Sequence, residues 1–206
     1  MSKFNIILNN NNILKVNSYI LDFENFSVVI DPSQNYDDID GKIKEKLKAV
    51  FITHGHFDHF LFLESYKEKN LTFYMHEKAY EKINDSSKNA SYLIGEKIEC
   101  DLSNEELHFV NDKEIVRFSN IEFLIHEFLG HTDCSIGIEI EKKLFSGDFI
   151  FKGSIGRTDL YSGDKILMQD SIDKILEYDE DIEIFPGHND KTRLKDEKEN
   201  NPYLKR

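Results

Sequence analysis

The chain has 206 residues, 39% of them hydrophobic and 32% charged, which is enough for one domain that buries its own core without covalent staples. A formal net charge of −13 argues against a nucleic-acid partner, which is held mainly by Lys and Arg, and two cysteines, Cys100 and Cys134, are too few for a disulfide framework. No charged-then-apolar leader opens the sequence and no apolar run reaches membrane-spanning length, so a cytoplasmic protein with no membrane contact is expected.

In chain order, residues 4–8, 13–21 and 26–30 are short β-favouring runs separated by Asn-rich or Asp-Phe-Glu-Asn turns, the pattern of an antiparallel meander. Asp31-Pro32 breaks this sheet. Ile39, Ile43 and Leu47 then recur four apart and predict an amphipathic helix lying on it. Residues 49–53, Ala-Val-Phe-Ile-Thr, read as a buried strand that runs directly into Thr53-His54-Gly55-His56-Phe57-Asp58-His59. Within those seven residues stand three imidazoles and one carboxylate, the side chains that bind borderline divalent metals such as zinc. In an extended loop alternate residues share a side, so His54 and His56 can converge on one ion while Asp58 and His59, beyond the bend, face elsewhere. That geometry points to two metals.

Leu61, Phe62 and Leu63 open an expected helix running to Lys69, with Asp58 near its N-terminus, and residues 71–75 return as a strand. Residues 77–83 and 91–94 read as short helices or loops. From Leu107 a second sheet is expected, built from residues 107–110, 114–118, 121–127, 135–140 and 143–146. Asp164 precedes Met168, Ile172, Ile175 and Leu176 and is a candidate N-cap of an amphipathic helix; residues 182–185 form a last strand, and residues 191–200 a charged helix. This order predicts two packed sheets with helices outside, in a single domain spanning residues 1–206.

Three more candidate ligands each follow a predicted strand and a glycine: His131 in Gly130-His131, Asp148 in Gly147-Asp148 and His188 in Gly187-His188. Glycine lets a loop turn sharply at a strand end and aim a ligand inward. With these contexts in place, the chain resembles the metallo-β-lactamase superfamily, whose pattern is His-x-His-x-Asp-His followed at a distance by a His, an Asp and a His. The stretch from Ser146 through Gly153-Ser154-Ile155-Gly156-Arg157-Thr158-Asp159-Leu160 to Pro186-Gly187-His188, and the tail Asn201-Pro202-Tyr203-Leu204, resemble its glyoxalase II-like hydrolases.

The resemblance implies an α/β fold, an αββα four-layer sandwich of two mixed sheets flanked by helices. It implies two divalent cations per chain, zinc being expected and iron or manganese also accepted by such ligands. His54, His56 and His131 would hold the first, Asp58, His59 and His188 the second, and Asp148 would bridge them. The implied activity is that of a dinuclear hydrolase in which a metal-bridging hydroxide, oriented by the catalytic Asp58, attacks a thioester or related ester of a small molecule. Arg157 is the candidate for holding a substrate carboxylate, with an ion pair to Asp159 as the equally weighted alternative. Asp159 and Asp190 stand where glutathione-binding relatives carry aromatic residues, so S-lactoylglutathione is expected to be a poor substrate and smaller or less anionic esters better ones. A mononuclear iron persulfide dioxygenase using His54, His131 and Asp148, or a lactonase of the same fold, is the alternative reading; Gly187-His188-Asn189-Asp190 favours hydrolysis over dioxygenation. His76, His108 and His126 are read as structural, and Cys100 and Cys134 as small hydrophobes.

Overall fold

The β-favouring runs of the N-terminal half form one mixed sheet whose spatial order follows the chain. Its strands are β1 (Asn5–Asn9), β2 (Ser18–Asp22), β3 (Ser27–Ile30), β4 (Leu47–Phe51), β5 (Thr72–Met75) and β6 (Glu106–Phe109). The first three pair antiparallel as the meander predicts, and β3 through β6 are parallel. Strand β3 is buried at every position and β4 at all but Lys48, as expected of parallel strands covered on both faces. The computed structural model describes residues 4–205; the first three positions of the expected leaderless start, and Arg206, lie outside the described residues.

Three expectations change here. The Ile39/Ile43/Leu47 stripe is not one helix: a 3-10 turn at Tyr36–Asp38 and a single helical turn, α1 (Gly41–Lys44), precede β4, and Leu47 is already in that strand. Ile39 and Leu47 are both buried, so the spacing reported burial correctly but came from two elements. The helix expected over residues 61–69 is replaced by two 3-10 turns, Phe57–Phe60 and Leu63–Tyr66, and Asp58 lies in the first. Residues 106–109 join the first sheet beside β5, not the second, after the helix α2 (Glu77–Ile83) and a 3-10 turn at Ser91–Ile94.

The second sheet has the order β14-β13-β10-β9-β8-β7, with β7 (Ile115–Phe118), β8 (Ile121–Glu127), β9 (Ile136–Ile140), β10 (Lys143–Gly147), β13 (Glu183–Pro186) and β14 (Thr192–Arg193). A separate hairpin of β11 (Ile150–Phe151) and β12 (Ser154–Ile155) follows β10. Helix α3 (Lys165–Leu176) is capped by Asp164, whose carboxylate accepts from the N–H groups of Ile166 and Leu167, as predicted. It buries Met168, Ile172 and Ile175 among Phe128, Leu144, Phe149 and Ile184. Each such fully buried side chain contributes about 1.5–3 kcal/mol. The last helix, α4 (Leu194–Asn200), starts later than expected because Thr192 and Arg193 pair with β13. The chain divides into two compact units, Met1–Val110 and Asn111–Arg206, each built on one of the two sheets. No helix among the described residues is long and apolar enough to cross a membrane.

Candidate metal centre

In the N-terminal unit the candidate ligands leave the end of β4 in the order the sequence predicts. His54, His56 and His59 are buried, and the side chain of Asp58 is 18% exposed. His54 Nε2 and His56 Nδ1 stand 3.1 Å apart, and Asp58 Oδ2 lies 3.8 Å from His59 Nε2. The cluster is fixed from behind by Asp31, which the sequence reading took only as a strand breaker. Its carboxylate accepts from the Thr53 N–H (2.8 Å), the Thr53 hydroxyl (2.6 Å) and His59 Nδ1 (2.8 Å), while its backbone sits in the left-handed region at φ 51°. Because the Thr53 hydroxyl proton is committed to Asp31, Thr53 Oγ1 can only accept from His54 Nδ1, 3.2 Å away. One buried carboxylate therefore sets the tautomers of His54 and His59, leaving each Nε2 with a lone pair for a metal. The available signal was an acid between a predicted buried strand and a proline, at the end of a strand as His54 is.

In the C-terminal unit His131, Asp148 and His188 come together. His131 Nε2 and His188 Nε2 each lie 3.7 Å from the same atom, Asp148 Oδ2. His131 Nδ1 donates to the backbone carbonyl of Arg157 at 2.8 Å, which again leaves Nε2 as the lone-pair nitrogen. Gly130, before His131, has φ 128°, and a Cβ there would collide with the backbone of Met168 in the first turn of α3; only glycine lets the loop pass so close. Among the candidate ligands, His56 Nε2, His59 Nε2 and Asp148 Oδ1 are buried and make no hydrogen bond, although each of the three residues has other interactions.

Arg157 bonds Asp159 through two nitrogens, at 2.6 and 2.8 Å, and these bonds pull the Asp159 carboxyl down to about 2. Asp190 pairs with Lys152 at 3.3 Å. Both carboxylates expected to repel an anionic substrate thus have a cation beside them, and the ion-pair alternative for Arg157 is the observed one. Its side chain is 56% exposed and remains accessible.

The three histidines read as structural each have a place in the fold. His76 caps α2 by accepting from the Lys78 N–H, and His108 lies in β6 against the ring of Tyr74. His126 bridges Glu139 and Tyr178, both at 2.8 Å. Burial pushes the Cys100 thiol up to about 12, so this thiol is inert at neutral pH.

The family model described as the metallo-beta-lactamase superfamily matches residues 12–188. The chain belongs to the metallo-β-lactamase superfamily. Among curated relatives of this superfamily member, the hydroxyacylglutathione hydrolase GloC of Haemophilus influenzae is 32% identical over 194 residues, covering 91% of both chains. The probable metallo-hydrolase YqgX of Bacillus subtilis is 29% identical over 199 residues, covering 93% of both. The crystal structure of the BLEG-1 B3 metallo-β-lactamase superposes with a TM-score of 0.86 at 28% identity, covering 99% of this chain and all of that one. The two mixed sheets with their helices are the superfamily's α/β fold, and its donor set of imidazoles and carboxylates implies divalent metal binding in an enzyme of the metallo-hydrolase class.

Proposed function

We propose that residues 1–206 act as one catalytic domain, a dinuclear metal-dependent hydrolase of a small-molecule thioester or related ester, in the manner of glyoxalase II. The observation that carries this reading is the spacing around Asp148. A separation of 3.7 Å is too long for a hydrogen bond, and His131 turns a lone pair, not a proton, toward the carboxylate. Two acceptors facing each other in a buried pocket call for a cation between them. Two ligands about 2.0–2.2 Å from a tetrahedral ion stand about 3.4 Å apart, close to what is seen.

In this proposal His54, His56 and His131 would hold the first ion and Asp58, His59 and His188 the second, with Asp148 available to both. Imidazole and carboxylate without thiolate suit zinc, iron or manganese. The family model supports pooling these ligands, because its match runs through both units. Bound there, the ions would polarise the scissile carbonyl and lower the pKa of a water toward about 7. The chain's own residues supply the rest. The Asp58 carboxylate accepts a hydrogen bond from the attacking water and orients it. Asp31 and the Arg157 carbonyl hold the imidazoles in the tautomer that offers Nε2. The thioester class is favoured by the relative whose name is hydroxyacylglutathione hydrolase.

Protein purified without added metal is expected to contain close to two ions per chain by elemental analysis and to hydrolyse members of a small thioester panel. One iron per chain, with oxygen uptake on a persulfide and no thioester turnover, would assign the chain to the dioxygenase alternative instead.

A further inference from the structure

The geometry points to a recognition cleft along α3 in which Lys165, Gln169 and Tyr203 receive an arm of the substrate that carries a single negative charge. The inference deepens the thioester reading and rests on it. The cleft has a volume of about 440 Å³, within the range of small-molecule sites. Its floor is apolar: Met168 and Ile172 present the α3 face that is 2% and 3% exposed, and Ile155 of β12 joins them. An exposed aromatic ring, Tyr203, stands at its edge, 54% accessible. Apolar surface of this kind accommodates a short carbon chain, and the polar groups above it fix which chain.

One wall of the cleft is also the back of the candidate metal centre. Gly156 lines the cleft, and a Cβ on it would fall inside the Asp148 carbonyl oxygen and 3.0 Å from His131 Nδ1. The next residue, Arg157, lines the cleft with its side chain and accepts from His131 with its carbonyl. A ligand lying on this wall is therefore separated from Asp148 and His131 by one thickness of backbone.

Charge selects the arm. The cleft is lined by two cations, Arg157 and Lys165, and Gln169 Nε2 donates to the Asp173 carboxylate at 3.1 Å. Arg157 is tied to Asp159 at two points, whereas Lys165 is exposed and, among the described residues, has no ion pair or side-chain hydrogen bond. Lys165 is thus the cation available to a ligand, with the Gln169 amide, whose nitrogen already donates to Asp173, one helical turn further along the same face. A single carboxylate matches this one unpaired cation. A polyanion would find the second cation, Arg157, already tied to Asp159 and would approach against the chain's net −13.

The test compares two thioesters that differ by one carboxylate, S-acetyl-N-acetylcysteine and S-acetyl-N-acetylcysteamine, on the metal-loaded protein. The charged ester is expected to have the lower KM. Lys165→Gln is expected to raise that KM about three- to fivefold, the size of a surface ion pair, with kcat retained, no comparable rise for the neutral ester, and a smaller effect at high salt. Because Lys165 is exposed, the substitution leaves the core untouched. Binding is read separately, by titrating the backbone amide signals of residues 155–172 with the non-hydrolysable S-methyl-N-acetylcysteine. Loss of turnover on both esters with binding retained would sink the thioester reading and keep the cleft. If Lys165→Gln changes neither the KM of the charged ester nor the binding of the thioether, the cleft is not the recognition site.

Discussion

Asp31 shows how much of the proposed chemistry depends on a side chain that touches no substrate. It is 1% exposed, holds a backbone conformation that few residues other than Gly, Asn and Asp adopt, and ties together Thr53, His54 and His59. Replacing it by alanine leaves the Thr53 N–H and His59 Nδ1 without their acceptor and frees both imidazoles to take the wrong tautomer. Asp31→Ala is expected to lower metal affinity about 10- to 100-fold and to cost about 1–3 kcal/mol of stability. Competition against a chelator and thermal melting measure the two, and unchanged affinity would remove Asp31 from any role at the site. Asp58 differs in kind, because it is assigned to the attacking water itself. Asp58→Ala is expected to lower kcat by about 10²- to 10⁴-fold while the protein still folds; a variant that kept most of its turnover would show that orientation of the water lies elsewhere.

At the scale of elements, the β11–β12 hairpin carries the loop that frames Asp148 and His131, yet it has only two residues per strand and cannot hold itself. Helix α4 holds it. Glu197, 3% exposed, accepts from the Gly153 N–H, the Thr192 hydroxyl and the Asn201 amide, and Asn201 in turn donates to the carbonyls of Phe151 and Ser154. The Asn-Pro tail noticed in the sequence is thus a brace for the hairpin. Asn201→Ala is expected to speed hydrogen exchange at residues 150–157 and to raise KM more than it lowers kcat; exchange as slow as in the parent protein would contradict the brace. The hairpin was invisible in the sequence because two-residue strands leave no periodicity. The buried strand before the histidine cluster, the placement of the candidate ligands after strands and the Asp164 cap were legible, since each depends on local chemistry that neighbours in the chain reveal. The helix expected from Ile39, Ile43 and Leu47 failed because a four-residue spacing also arises when a short turn feeds a buried strand. Likewise, the pairing of β6 with β5 depends on a partner about thirty residues away and has no local mark.

Across the whole chain, a net charge of −13 means that gathering carboxylates in the folded state is unfavourable unless cations are bound with them. Asp148 is the sharpest case, 9% exposed, with His131 Nε2 and His188 Nε2 each 3.7 Å from its Oδ2, beyond hydrogen-bond length. Ions that bind the folded chain and not the unfolded one stabilise it by about 2.7 kcal/mol when present at a hundred times their dissociation constant. For a chain of this size that is about 5–11 °C in Tm. Stripping the protein with EDTA is therefore expected to lower Tm by about that much without unfolding it, because the apolar cores do not include the candidate ligands. Adding back zinc, iron(II) or manganese one at a time should restore Tm in an order that identifies the preferred ion. Magnesium, which holds its waters and favours all-oxygen sites, should restore little. A melting curve indifferent to both chelator and metal would mean that the lone pairs around Asp148 are reconciled in some other way, and the dinuclear reading would fall with it.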